Sequence, residues 1–538
     1  MSDISIAVQN QENNRPDGHD SVEFEQLENL VTEVCSEILG VRKISLRDNL
    51  LEAGMDSIRA MQIVSRLNQE LGLQVGIREL IESGTIENVA RAVRSQRQFE
   101  SLVIGSLRRP PLVPLSYAQE RVWFLSQLGY SQGYHVVRAF EISGKVDALL
   151  VEEAMYHLIT RHEVFRTSFR DVQGKPFQHI EEPRRLRMRH YDVSGRSEIM
   201  RARDLEAALH ELCCAEFVLT EAPLMRVGLI RMGDDSHILA LCLHHIISDG
   251  WSMGLLTEEL AATYTAYSQG MSPVLKSLPV QYADYALWQY EMLTQQRLER
   301  ELAYWREQLA GYQELGLPAD HPRPAQMSGR GGQVRLHVAA DDVGELVQFC
   351  QKRQITTFVL FMGSVYLLLK RYSSQPDICI GVPVANRDPW QVQDVIGLFV
   401  NTLVVRILAL NMSCKQLLRN VQARILEAQD HQAVPFEKVV ESIQPKRDLA
   451  RNPIFQVLVN HVTAGREEMR FGESRIKAVD FDQDTAKLDL SFTLLEDPDG
   501  SQWVTVEYSR DLYERETVER MSQHLMRAMA GLVEEEEK

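Results

Sequence analysis

The 538-residue sequence lacks long apolar runs, and no stretch approaches the roughly 18 consecutive apolar residues that a membrane-spanning helix needs. Its first fifteen residues are polar and lack the apolar segment of a signal peptide. Lysine and arginine number 58 against 75 aspartates and glutamates, and no long basic run is present that could neutralise a row of phosphates. These absences predict a cytoplasmic protein that binds neither a membrane nor a nucleic acid.

Cysteine is scarce and irregularly spaced. The seven cysteines are an odd number and show no CxxC spacing, so the sequence predicts neither a disulfide framework nor a zinc site. We expect them to be reduced and mostly buried. With 44% hydrophobic and 25% charged residues, the composition is typical of a folded protein that buries sizeable cores.

The N-terminal part of the chain predicts a leader and a small helical domain. Residues 1–21 are polar, contain Pro and Gly and show no periodicity, which is typical of a disordered leader. In residues 22–97 the apolar residues recur at helical spacing, as in the run from Phe24 to Ile38 that Gly40 ends. This region therefore predicts a small all-α bundle of three or four helices.

The remainder of the chain predicts a larger mixed domain. Residues 98–112, which contain Arg109 and two consecutive prolines, predict an extended linker. After it, strand-like runs alternate with helical runs in two halves, each with a strand-rich part. We therefore expect an α/β (α+β) domain with an N-lobe at 113–288 and a C-lobe at 289–530, followed by an acidic tail at 531–538.

Ser57 follows a long loop and begins an amphipathic helix, where its hydroxyl is expected to be exposed. Asp56 and Ser57 are both residue types that cap helices, so local chemistry alone leaves a purely structural role open. The segment from Asp48 to Ile58, however, resembles the carrier-protein signature in which a serine after Asp or His accepts 4'-phosphopantetheine. The resemblance covers residues 22–96 and implies that Ser57 anchors a flexible thiol arm, which replaces diffusion by a high effective concentration.

A paired histidine follows an apolar strand at His237–Leu243, in the string LHHIISDGWS. Because side chains alternate along a strand, His244 and His245 cannot both point into one site. A neutral imidazole can accept a proton from an attacking amine or hold that amine by a hydrogen bond. Adjacent histidines on opposite faces are poor joint metal ligands and no further ligand cluster is evident, so we predict no metal.

The HHxxxDG string is similar to the signature shared by condensation domains and related acyltransferases of the chloramphenicol acetyltransferase-like fold. Further condensation motifs follow in the expected order, at residues 116–125, 161–167, 282–288, 396–406, 431–437 and 447–456. The chain thus resembles a carrier plus condensation didomain of a nonribosomal peptide synthetase. The resemblance implies a small four-helix carrier bundle, then two chloramphenicol acetyltransferase-like lobes in a V.

The same resemblance implies roles for individual residues. His245, Asp249 and Gly250 are the expected catalytic group, with His245 acting either as base or as the residue that orients the amine. The Gly250 N–H is expected to help hold the oxyanion. Asp249 is expected to organise the site through a pair with Arg387, because an unpaired buried carboxylate is costly. Expected structural neighbours of the site are His244, Arg387, Trp251 and Asn401.

The resemblance also implies partners. A phosphopantetheinyl transferase would modify Ser57, and an upstream or separate adenylation or acyl-loading enzyme would charge the arm. A carrier that precedes a condensation domain implies that Ser57 holds the donor, while the acceptor is a carrier on another polypeptide or a free amine. Epimerisation, ester formation and an inactive docking platform are alternatives. Asn401 and the opening motif favour condensation, and the intact His245, Asp249 and Gly250 argue against an inactive platform.

Overall fold

The computed structural model describes residues 18–41, 44–55, 57–71, 75–95, 104, 108–127, 134–445, 448, 450–463, 468–479, 484–497 and 500–534. The chain divides into two compact units, residues 1–101 and 102–538. Residues 1–17 of the expected leader, Asp56, and residues 535–538 of the expected tail lie outside the described residues, as does Arg447 in the last motif.

The first unit is helical, as predicted. Its described residues form four helices: α1 (Gly18–Leu39), α2 (Ser57–Leu71), α3 (Ile77–Ser83) and α4 (Ile86–Ser95). Their apolar stripes meet in one core that includes Val31, Ile63 and Leu80. The predicted leader 1–21 extends past the start of α1 at Gly18; the first residues of this helix are polar in sequence, so hydrophobic periodicity does not detect them. Gly40, at φ +70°, ends α1 in the left-handed conformation.

The second unit mixes helices and strands. Its helices are α5 (Tyr117–Gln127), α6 (Ala148–Arg161), α7 (Glu198–Cys214), α8 (Gly250–Ser268), α9 (Tyr282–Met292), α10 (Gln295–Gln308), α11 (Ala340–Arg353), α12 (Thr357–Ser373), α13 (Cys414–Asp430), α14 (Phe436–Ile443) and α15 (Arg515–Glu534). Its strands are β1 (Val113–Pro114), β2 (His135–Ser143), β3 (Thr167–Val172), β4 (Lys175–Ile180), β5 (Arg189–Asp192), β6 (Met225–Gly233), β7 (Ser236–His244), β8 (Gly331–Val338), β9 (Asp377–Val384), β10 (Asn401–Leu408), β11 (Val457–Thr463), β12 (Glu468–Phe471), β13 (Ser474–Val479), β14 (Leu490–Glu496) and β15 (Gln502–Ser509).

Two six-stranded sheets form the two lobes. The N-lobe sheet has the order β12-β13-β2-β7-β6-β5, and the C-lobe sheet has the order β10-β9-β11-β14-β15-β8. A third, small sheet has the order β1-β4-β3. β7 of the N-lobe sheet and β9 of the C-lobe sheet are buried along most of their length, which explains their nearly continuous apolar sequences.

The predicted C-lobe at 289–530 is not one contiguous block. β13, which lies late in the sequence, pairs antiparallel with β2 of the N-lobe sheet, with Ile476 opposite Ile142. In the same excursion Phe471 stacks on Tyr264 at a ring-centroid distance of 3.8 Å. A division by sequence order misses this exchange, because the choice of pairing partner depends on which apolar faces meet.

Two of the predicted boundaries also differ in detail. Residues of the expected linker 98–112 are fixed to the second unit: Ile104 is buried in the N-lobe core, and Arg109 forms ion pairs of 2.6 Å with Glu163 and Asp284. At the other end, α15 continues to Glu534, so the expected tail 531–538 begins as helix. Leu532, which is 1% exposed, holds that last turn against the C-lobe core.

Within the described residues, no single helix has both the length and the apolar character of a membrane span; only α11 and α12 taken together pass that test, and they meet at an angle of 101°. The same residues contain no group of three or more His, Cys, Asp or Glu side chains that could hold a metal ion.

Candidate active site

The two histidines lie where β7 leaves the N-lobe sheet. β7 runs between β2 and β6, and every residue from His237 to His244 is buried, which confirms the predicted strand. The chain then makes one 3-10 turn at His245–Ile247 before α8 begins at Gly250. This turn carries residues 245–250 to the junction between the lobes, where they meet the loop 392–400 of the C-lobe.

His244 is part of the N-lobe interior. It is 0% exposed, its Nδ1 accepts a hydrogen bond of 3.2 Å from the Ile246 N–H, and its ring lies edge-on to His135 and Phe217. Burial, followed by the nearby His135 and His245 rings, lowers the pKa of His244 to about 3. A neutral, enclosed imidazole of this kind fixes the turn rather than meeting a substrate.

His245 has the opposite surroundings. It is half-buried, and its ring meets Tyr134 edge-on at a centroid distance of 6.3 Å. Burial and the positive charge of Lys487 lower the pKa of His245 to about 4, whereas Asp249 acts in the opposite direction. The His245 imidazole is therefore neutral at physiological pH and able to accept a proton or a hydrogen bond.

The Asp249 carboxylate is buried and surrounded by donors. Its Oδ1 caps α8 by accepting the Ser252 N–H at 2.8 Å, and its Oδ2 accepts the N–H groups of Phe399 at 2.9 Å and Val400 at 3.3 Å. Arg387 completes the set, with its Nη2 at 3.4 Å from Oδ1. These contacts join the N-terminus of α8 in one lobe to the loop before β10 in the other.

Arg387 is 0% exposed and holds the same junction from the C-lobe side. Its Nη1 donates to the carbonyls of Val392 and Val395, both at 2.7 Å, and its Nη2 donates to Ser252 Oγ at 2.7 Å. Burial lowers the pKa of Arg387, and the nearby Asp249 opposes that shift. The predicted pair of Asp249 and Arg387 is thus one contact in a larger network that organises the turn.

The other residues selected from the sequence divide into two kinds. The half-buried Trp251 donates from Nε1 to the Gln393 carbonyl at 3.2 Å, and Asn401 donates to the Gln432 and Val434 carbonyls at 2.9 and 2.8 Å. Both side chains therefore fasten loops. Gly250 is exposed, and a Cβ at this position would meet no heavy atom within 4 Å, so its backbone borders open space at the start of α8.

Several other residues of the sequence motifs also support the histidine turn, although the motifs assigned them no role. Gln119 Nε2 donates to the Ile246 carbonyl at 3.1 Å, which ties the opening motif to the histidine turn. Tyr282 donates from its hydroxyl to the Leu398 carbonyl at 2.6 Å. A Cβ at Gly397 would lie 1.9 Å from Tyr282 Cδ2, so only glycine permits this contact.

Sequence reasoning missed two charged groups near the junction, because neither stands out in a motif. Lys487 is exposed to solvent, yet desolvation lowers its pKa to about 8. Asp388 is likewise exposed, and desolvation raises its pKa to about 6 while Gln432 Nε2 donates to it at 3.1 Å. Both groups therefore lie where surrounding protein weakens the hydration of a charge although part of the side chain still contacts solvent.

In the first unit, Ser57 is the first residue of α2. The preceding loop is held by Gly54 at φ +98°, whose carbonyl accepts a 2.7 Å hydrogen bond from Arg59 Nη1. The first turn of α2 contains no acidic residue, and the positive end of its helix dipole favours a bound phosphate. These features fit the phosphodiester of phosphopantetheine; the side chain of Ser57 itself lies outside the described residues.

Comparison with known families assigns both units. Residues 111–538 match the condensation domain model, and residues 29–93 match the phosphopantetheine attachment site model. The chain belongs to the condensation domain family. Its N-terminal unit is a phosphopantetheine carrier, so the whole is a carrier plus condensation didomain of the nonribosomal peptide synthetase type. Condensation domains of these synthetases catalyse amide-bond formation, which makes the second unit an acyltransferase-type enzyme.

Relatives and solved structures agree with this assignment. The condensation didomain is 33% identical to a linear gramicidin synthase protein of Brevibacillus parabrevis over 94% of the present chain, and 36% identical to malpinin synthetase of Mortierella alpina over 92%. It spans only 10% and 6% of the length of those two proteins. The crystal structure of the X-domain from teicoplanin biosynthesis superposes with a TM-score of 0.73 at 28% identity, covering 80% of this chain and 96% of that one.

Proposed function

We propose that the chain holds a donor acyl or peptidyl group on Ser57 and transfers it to an acceptor amine at His245. When attached, the phosphopantetheine arm supplies a thiol that carries the donor as a thioester. The observation that carries the proposal is the contrast between the two histidines, since His244 is fully buried in the N-lobe interior whereas His245 is partly exposed at the junction of the lobes.

In this proposal the amine nitrogen attacks the thioester carbonyl, the C–N bond forms, and the C–S bond breaks to release a thiol. The neutral His245 imidazole either accepts the proton that the amine loses or orients the amine lone pair by a hydrogen bond. Either role requires an unprotonated ring. Because a thioester is already reactive, holding the two reactants together supplies much of the rate enhancement.

The neighbouring residues have supporting roles in the proposal. The Gly250 backbone N–H borders open space at the start of α8 and would donate to the carbonyl oxygen as negative charge develops there. Asp249 and Arg387 keep the turn in place without exchanging protons, since donors already surround the carboxylate. Asn401 and Trp251 hold the adjoining loops.

The proposed donor role follows from the order of the two domains in the chain. It requires a phosphopantetheinyl transferase to install the arm and an adenylation or acyl-loading enzyme, upstream or separate, to charge it. The acceptor would arrive on a carrier of another polypeptide or as a free amine. Nothing in the net charge of −17 favours a nucleic acid in this scheme.

The proposal is tested by loading the purified chain with acyl groups from acyl-coenzyme A and a phosphopantetheinyl transferase, then adding a panel of amines. Intact-mass spectrometry should show amine-dependent loss of the acyl group from the carrier, with the matching amide in solution. Chain without the arm and reactions without amine are the controls. Release as free acid at the same rate with and without amine would contradict the proposal, and an ester formed only from hydroxyl nucleophiles would redirect it.

A further inference from the structure

Lys487 approaches the histidine turn from the C-lobe, in the segment that leads into β14. Its Nζ lies over the ring of Tyr134, 4.9 Å from the centroid. Tyr134 immediately precedes β2 of the N-lobe and meets His245 edge-on at 6.3 Å. An ammonium, an aromatic ring and the accessible imidazole thus follow one another across the junction of the lobes.

The Lys487 ammonium lies among charges of both signs. Within the part of the chain that the structure describes, its ammonium forms no ion pair within 4.0 Å. Glu507 attracts it without forming an ion pair, and Arg121, which is paired with Glu437 at 3.2 Å, repels it. A desolvated lysine without an ion pair among the described residues is energetically unfavourable, and such residues concentrate at functional sites.

We propose that Lys487 is a positioning residue for His245: its ammonium, held against Tyr134, repels a proton from the imidazole and keeps that ring free to meet the amine. This inference rests on the proposed role of His245. The groups that face His245 are Lys487 before β14, Tyr134 before β2, His244 at the end of β7 and Asp249 before α8.

Asp249 is the anion among these groups, and it acts against Lys487. Its carboxylate, however, already accepts three backbone hydrogen bonds and faces Arg387, so its negative charge is largely compensated. Lys487 comes directly after burial among the causes that lower the pKa of His245. Each lobe supplies one part of this arrangement: His245, the proposed base, comes from the N-lobe, and Lys487, the charge that acts on it, comes from the C-lobe.

The test is a titration of His245 by NMR with carbon-13 in the histidine rings, assigned from the spectrum of His245→Gln. Relative to wild type, Lys487→Met should raise the pKa of His245 by about one unit, as expected for the loss of one charge at this range, while Lys487→Arg should leave it unchanged. Lys477→Met removes an exposed lysine on β13 and is the matched control. Lys487→Gln provides the same measurement if Lys487→Met does not fold.

Turnover gives a second reading. The acidic limb of the pH–rate profile for amide formation should move to higher pH in Lys487→Met. At pH values on or below this limb the variant should be about tenfold slower than wild type, and at higher pH the two rates should be equal. A His245 titration identical in Lys487→Met and wild type would overturn the inference, and so would an equal loss of rate at every pH. Because the titration needs no turnover, its outcome is separate from whether the wild-type chain forms amides.

Discussion

The Ser57 region and the His245 region are both proposed to carry chemistry, but they are built over very different lengths of chain. The loop before Ser57 is held by a bond from Arg59 to the Gly54 carbonyl, five residues away. The turn after His245 is held by bonds from Arg387 to Ser252 and from Phe399 to Asp249, across 135 and 150 residues. The first site is therefore local to a small bundle, whereas the second exists only when both lobes have folded.

The largest expected effect concerns the local site. With a phosphopantetheinyl transferase and coenzyme A, the wild-type chain should gain a single arm of about 340 Da, and Ser57→Ala should gain none. Ser36→Ala, which replaces a half-buried serine of α1, is the control and should be modified like wild type. Intact mass measures both. Modification of Ser57→Ala would show that the arm attaches elsewhere and would remove one side of the comparison.

The next effect separates the two histidines of the assembled site. In single-turnover assays of the loaded protein, His245→Ala should lower amide formation by about 100-fold or more, the usual contribution of a positioned acid or base. His244→Ala should lower the rate far less and the melting temperature more, because His244 fills the interior while His245 is partly exposed. Equal activity of His245→Ala and wild type would exclude His245 from the mechanism.

Substitution of Asp249 measures how much the stability of the assembled site depends on contacts between the lobes. Asp249→Ala leaves the fully buried Arg387 without its carboxylate and should lower the free energy of unfolding by about 3 to 5 kcal/mol. Asp249→Asn keeps an oxygen that accepts from Ser252 N–H and should lower it less. Urea denaturation measures both variants, with activity in parallel. Two fully stable but inactive variants would instead identify Asp249 as a catalytic acid.

The smallest effect concerns Asp388, whose pKa is raised to about 6 by desolvation. Since the native state binds this proton more tightly than the unfolded state, stability from this group is present at low pH and is lost as the pH rises through about 6. Solvent contact limits the effect to less than about 1 kcal/mol. The melting temperature of Asp388→Asn relative to wild type should therefore be higher at pH 7.5 than at pH 5. Asp235→Asn, in the exposed turn after β6, is the matched control for the loss of a surface carboxylate.

Much of the fold could be predicted from local pattern. The helical spacing of apolar residues predicted a bundle of three or four helices where α1 to α4 lie, and the apolar strand before His244 was predicted close to its observed bounds. The motifs also selected Arg387 as the partner of Asp249, and the two side chains are in contact. The leader, the tail and the single block of C-lobe were less accurate, because polar and acidic sequence at a chain end does not exclude helix and the exchange of β13 into the other sheet leaves no periodic signal.

By itself the sequence determined the type and approximate place of many elements and which residues stand next to each reactive position, since periodicity, capping and strand alternation act between near neighbours. It therefore placed Ser57 at a helix start and set His244 and His245 in different surroundings. Only the tertiary structure decided that Lys487 stands near His245, that Asn401 uses its amide to fasten a loop, and that Asp388 is desolvated while exposed. Those properties come from residues far apart in the chain that folding brings together, and desolvation and charge depend on that three-dimensional neighbourhood rather than on the order of residues.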